Sequence, residues 1–150
     1  MKKQIASFIL IILTLTTSIS AYTYKTLSIT YDCLELKEKI TAECIEFIKN
    51  SEMVDVRYVD HREASLSKHD SDRIKSILLH DHTYLFNVQK FSKFIPSSAL
   101  VFKSGDSSCI LVISQHAKKI KFYDCHDEQI ALIDVRGDHF DELDTIINKY

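Results

Sequence analysis

The chain has 150 residues, 45% of them hydrophobic and 27% charged, and a formal net charge of −2. A chain of this size buries a sizeable core without metal or many disulfides. Mild acidity supplies no cationic field, so neither nucleic acid nor an anionic membrane surface is expected as the partner, and only two glycines leave no material for a phosphate-cradling loop.

In chain order, the first feature is a leader. Met1 to Gln4 is short and basic, Ile5 to Leu15 is almost wholly apolar, and Ser18 and Ser20 place small residues just ahead of Ala21. This is the pattern of a signal peptide over residues 1–20. A membrane anchor would need about 20 apolar residues, whereas this run gives way to Thr14, Thr16, Thr17 and Ser18. No cysteine stands at the cleavage point to accept a lipid. The expected product is a single exported domain, residues 21–150, in a periplasm or secreted, with no membrane span after cleavage. Cleavage removes Lys2 and Lys3 and no acid, moving the formal charge from −2 to −4.

After the leader, Leu27, Ile29 and Tyr31 alternate with polar residues and suggest a first strand. Asp32 and Glu35 have capping-box spacing, so one helix is expected from there to Asn50, with Leu36, Ile40, Cys44, Phe47 and Ile48 on its apolar stripe. Val54–Val59 alternates as a strand. Asp60–Asp70 is polar and is expected to be the longest surface loop. Asp70 or Ser71 would cap a second helix ending near His80, and Tyr84–Val88 reads as another strand. Phe91, Phe94 and Ile95 lead to Pro96, the only proline, which should break regular structure.

Four short runs follow at spacings of about ten residues, rich in β-branched and aromatic side chains. They are Ala99–Lys103, Cys109–Ser114, Ile120–Cys125 and Ile130–Val135. They predict an antiparallel β-meander. The last segment predicts a helix, with Asp138 as its cap and a stripe of Phe140, Leu143, Ile146 and Ile147. Together these elements predict an α+β fold: an antiparallel meander with helices packed on one face.

All four cysteines fall in the exported part, which suggests disulfides in an oxidising compartment. A hairpin folded around Ala117 sets Cys109 opposite Cys125, within the span a disulfide needs. Cys33 and Cys44 pair only if the chain folds back between them. Otherwise they stay as buried thiols.

Among the seven histidines, His80-Asp81-His82 offers two imidazoles and a carboxylate, and His126-Asp127-Glu128 forms a second cluster. On a strand, His80 and His82 would share a face and could hold a metal together with Asp81. The plainer reading makes both clusters polar turns. His80-Asp81 resembles the His-Asp pair of metal phosphohydrolases, but those sites need further His and Asp residues on a helical bundle, which the predicted sheet does not supply. Cys125-His126 lacks nucleophile geometry, because neighbouring strand residues point to opposite faces. Ser107-Ser108 lacks the Gly-x-Ser-x-Gly elbow. Arg136-Gly137-Asp138 spells the integrin tripeptide, yet a strand end, a turn glycine and a helix cap account for all three residues. Phe91 and Phe94 suit either a core or a binding surface, the core being the simpler assignment.

With no assembled catalytic motif and no cofactor expected, the reading is a small exported protein-binding module of inhibitor or immunity type. Its acidity would suit a basic toxin or hydrolase as partner. Contacts are expected at His61, Arg62, Glu63 and His69 in the polar loop, and at Asp106, His126 and Asp127 in the meander turns. The alternative is a metal-dependent or cryptic hydrolase built from His80, Asp81, His82 and His126.

Overall fold

Alternation of apolar and polar residues drives seven segments into strands: β1 (Met53–Tyr58), β2 (Glu63–Ser65), β3 (Tyr84–Leu85), β4 (Ser98–Ser104), β5 (Ser107–Ser114), β6 (Lys119–Tyr123) and β7 (Gln129–Val135). In the computed structural model, which describes residues 33–88, 90–124 and 126–150, they pair antiparallel in the order β2-β1-β4-β5-β6-β7-β3. The expected leader and the strand at Leu27–Tyr31 lie outside the described residues. The expected meander is β4 to β7, extended by the β1–β2 hairpin on one side and by β3 on the other.

Period two makes the sheet two-faced. Val56, Leu100, Leu111 and Phe122 sit opposite one another on successive strands, and all four are fully buried. Helices α2 (Ala42–Asn50), α3 (Lys68–Leu78) and α4 (Gly137–Ile147) complete this layer. α2 packs on β4 and β5, while α3 packs on β1 and α4. The fold class is therefore α+β with an antiparallel meander, as expected, and the described residues form one compact unit. Among the described residues, no helix is long and apolar enough to cross a membrane.

Several local expectations are corrected. The expected single helix to Asn50 is two: α1 (Leu34–Lys39) stops where Ile40 turns extended, and Thr41 then caps α2 by accepting from the Cys44 N–H at 3.2 Å. A threonine at that position offers the backbone a competing hydrogen bond, which ends one helix and starts the next. The polar loop is shorter than expected because Glu63–Ser65 pairs with β1 and Ser67 caps α3. Asp70 is drawn inward, where Ser67, Lys149 and Tyr150 all donate to its carboxylate.

The strand at Tyr84 is only two residues long, and among the described residues Phe86–Val88 and Lys90–Ser97 are in neither helix nor strand. α4 starts at Gly137 with Arg136 in the cap position, and Asp138 lies inside its first turn. The reason is tertiary: β7 holds the chain to Val135, whose N–H donates to Lys118 O, and Arg136 N–H donates to Thr83 O, so the helix begins at once. The stripe of Phe140, Leu143, Ile146 and Ile147 is buried, as its spacing predicts.

The meander register differs by one residue from the expectation. Ile110 faces Tyr123 and Ile113 faces Ile120, so the turn centres between His116 and Ala117. The same count sets position 109 against 124, not 125. A one-residue slip moves a side chain to the other face, so direct opposition no longer supports the Cys109–Cys125 pairing. Residue 125 itself lies outside the described residues.

Candidate functional site

Cys44 lies in the first turn of α2, on the stripe that packs against β5, and Cys109 lies on the core face of β5. Both are buried, and their Sγ atoms are 3.5 Å apart. Cys109 Sγ also donates to Tyr123 O at 3.2 Å. The hydrogen bond with Cys109 holds the Cys44 thiol below the ordinary cysteine range, against burial and the Asp124 and Glu43 carboxylates, which push it up. The first turn of a helix favours a thiolate in the same sense. Beside the sulfurs lies a cavity of about 60 Å³, walled by Thr41, Glu43, Phe47, Asp124 and His126. Asp124 shapes its rim: the carboxylate accepts the N–H groups of Glu128 at 2.9 Å and His126 at 2.8 Å, which hold it below the usual carboxylate range. No disulfide joins Cys33 to Cys44. Cys33 sits at the cap of α1, and the Cys44 sulfur meets Cys109 instead.

The His80-Asp81-His82 run opens a 3-10 turn, with His80 in the cap position, rather than forming a strand. His80 Nδ1 accepts the His82 N–H at 3.4 Å, and the two rings stack with centroids 5.1 Å apart. The Asp81 carboxylate accepts the Glu35 and Leu36 N–H groups, each at 2.9 Å, and so caps α1 from a distance in sequence. His126 lines the thiol cavity instead. Among the described residues, no group of three or more His, Cys, Asp or Glu side chains is placed to hold a metal. The four residues of the hydrolase alternative are therefore not assembled into one site.

The residues expected at a binding surface divide between the two ends of the sheet. His61 has φ +68° in the β1–β2 turn. Beside it, Arg62 pairs with Asp60 at 2.7 Å and lies 4.5 Å over the Tyr58 ring. Glu63 pairs with Arg57 at 3.2 Å, and His69 is exposed in the first turn of α3. Asp106 occupies the β4–β5 turn, and His126 and Asp127 the β6–β7 turn. Because Tyr58 faces Ser98 and Met53 faces Lys103, the first turn is at the opposite end from the other two.

A surface the sequence reading set aside is more prominent. Phe91 is 96% exposed, Val88 51% and Ile95 50%, all within the irregular Phe86–Ser97 segment. This segment is pinned to the sheet at several points. Lys119 Nζ donates to Lys90 O at 2.5 Å, Ser114 Oγ accepts the Ile95 N–H at 3.2 Å, and Lys121 Nζ lies 4.6 Å from the Phe94 ring centroid. The signal available in the sequence was the absence of period: Lys90-Phe91-Ser92-Lys93-Phe94 interleaves aromatics with charge and matches neither helix nor strand.

No family model matches the chain, and no curated protein matches it. Among solved structures it is similar to the crystal structure described as "Putative Lipoprotein from Clostridium perfringens". The TM-score is 0.47 and the sequence identity 16%, with 69% of this chain and 89% of that chain covered.

Two arrangements thus have chemical content. One is a close thiol pair beside a small cavity, and the other is an aromatic side chain held out on an anchored segment.

Proposed function

We propose that the chain is a small exported protein-binding module, of inhibitor or immunity type, that neutralises its partner by occlusion. Export is read from the leader over residues 1–20. The observation that carries the binding reading is Phe91, whose ring stands almost wholly in solvent on backbone that side chains of β5 and β6 hold in place. An aromatic anchor on a pre-organised segment binds with little ordering cost, and such anchors carry most of an interface's energy. Val88 and Ile95, three residues before Phe91 and four after it in the chain, are also exposed. Lys90 and Lys93 flank Phe91 in sequence, so an apolar pocket with an acidic rim suits this segment. That local charge opposes the net acidity, and it moves the preferred partner surface from the basic one expected from composition to an acidic one.

The test uses the chain from Ala21 as bait in native extract, beside the Phe91→Ala variant. A stoichiometric protein retained by the parent and weakened at least ~30-fold by the variant, about 2 kcal/mol, is the expected result. Because the ring touches little of its own fold, the variant's unfolding free energy should change by less than about 0.5 kcal/mol. A stoichiometric partner held equally by both chains, or none held by either, would sink the reading.

A further inference from the structure

The contact between Cys44 and Cys109 has the makings of a redox site. The two sulfurs come from elements far apart in sequence, α2 and β5, and meet at 3.5 Å in the otherwise apolar layer between helix and sheet. A disulfide needs about 2.05 Å between sulfurs, so closing the gap asks only for small side-chain rotations within packing that already brings them together. The cavity beside them, with Thr41, Glu43, Asp124 and His126 in its walls, gives a reagent a polar approach to Cys44. The Cys44 amide is tied to Thr41 Oγ1, which fixes its sulfur in the first turn of α2.

We infer that Cys44 and Cys109 are a dithiol–disulfide pair whose substrate is a small disulfide of the glutathione type. The Cys44 thiol loses its proton to solvent and its thiolate attacks one sulfur of the incoming disulfide. A mixed disulfide forms on Cys44, and one thiolate leaves. Cys109 gives its proton to the thiolate that has left, and its own thiolate then attacks Cys44 Sγ, closing the Cys44–Cys109 bond and releasing the second thiolate, which takes a proton from solvent. Two protein thiols are oxidised, one external disulfide is reduced to two thiols, and no other reactant is needed. The inference stands on the geometry of the two sulfurs and is independent of the Phe91 binding surface.

The assignment competes directly with a Cys109–Cys125 bond, and the two are separable. The reduced chain is treated with oxidised glutathione, remaining thiols are alkylated, and peptides are mapped by mass spectrometry without reduction. The expected result is a Cys44–Cys109 linked peptide pair lighter by two hydrogens, formed equally in the Cys125→Ser variant, with Cys33 alkylated throughout. In Cys44→Ser the reagent should leave no such pair. A Cys109–Cys125 link in the parent chain would overturn the inference. So would Cys44 and Cys109 both remaining alkylatable after oxidation, in a chain whose circular dichroism shows it folded.

Discussion

Asp55 shows how single residues are held in this fold. It is 2% exposed on β1, and Ser65 Oγ donates to it at 2.6 Å from the edge strand while Lys103 Nζ donates from β4. Burial would raise this carboxyl, but the hydrogen bonds from Lys103 and Ser65 outweigh it and hold it below the usual range. Removing Lys103 strands a buried acceptor, so Lys103→Met should lose about 2 kcal/mol in urea unfolding. The Asp55→Asn/Lys103→Met double variant should lose less than the two single losses combined, because the pair is coupled. The pH dependence has a definite sign. A carboxyl depressed in the folded state contributes its full stability above the unfolded value of about 3.9, and that contribution is lost as pH falls through the lower folded value. Asp70 and Asp124 are shifted the same way, Asp70 first through its hydrogen bond from Tyr150. The parent chain should therefore weaken from about pH 5 downward, and Asp55→Asn should flatten part of that slope.

At the scale of elements, the informative case is α1. It has six residues, too few to be stable alone. Its first amides are satisfied by Asp81, which lies 46 residues beyond Glu35. Asp81→Ala should therefore cost about 1 kcal/mol, within the range of a lost cap. Hydrogen exchange should speed up in the Leu34–Lys39 amides while the β4–β5 ladder keeps its protection. Equal loosening of both would show that Asp81 acts on the whole fold rather than on the helix. The same element explains a limit of pattern reading. Leu36, Ile40, Cys44 and Ile48 keep a continuous helical spacing and are all buried, yet the backbone breaks at Ile40–Thr41. Periodicity records which side chains face the core, and a short interruption by a capping threonine leaves that record intact.

Over the whole molecule, one face of one sheet unifies the core, and the helices and hairpins depend on it. Phe122 sits near its centre at 0% exposure, with Tyr84 against it at a ring-centroid distance of 6.1 Å. Phe122→Ala should cost about 3–5 kcal/mol. The loss should appear as one cooperative shift, the same by circular dichroism as by tyrosine fluorescence, because β3 to β7 share that layer. Separate transitions by the two probes would show that the sheet unfolds in parts. The C-terminal residues are bound into the same unit: Tyr58 Oη donates to Ile147 O at 2.5 Å, and Lys149 and Tyr150 reach Asp70.

What the sequence determined by itself was the set of properties carried by near neighbours. Alternation marked β1 and the four meander strands, three- and four-residue spacing marked the α4 stripe, and together they were enough for the fold class. Tertiary structure decided whatever depends on partners distant along the chain. The one-residue difference in register at the β5–β6 turn sets Ile110 opposite Tyr123 and Ile113 opposite Ile120, because two neighbouring turn lengths suit the same residues. Packing of α2 on β5 then brought Cys44 to within 3.5 Å of Cys109, a contact between residues 65 positions apart that no local spacing encodes. Exposure followed the same rule. Phe91 looked like core by composition, and it is 96% exposed in the fold.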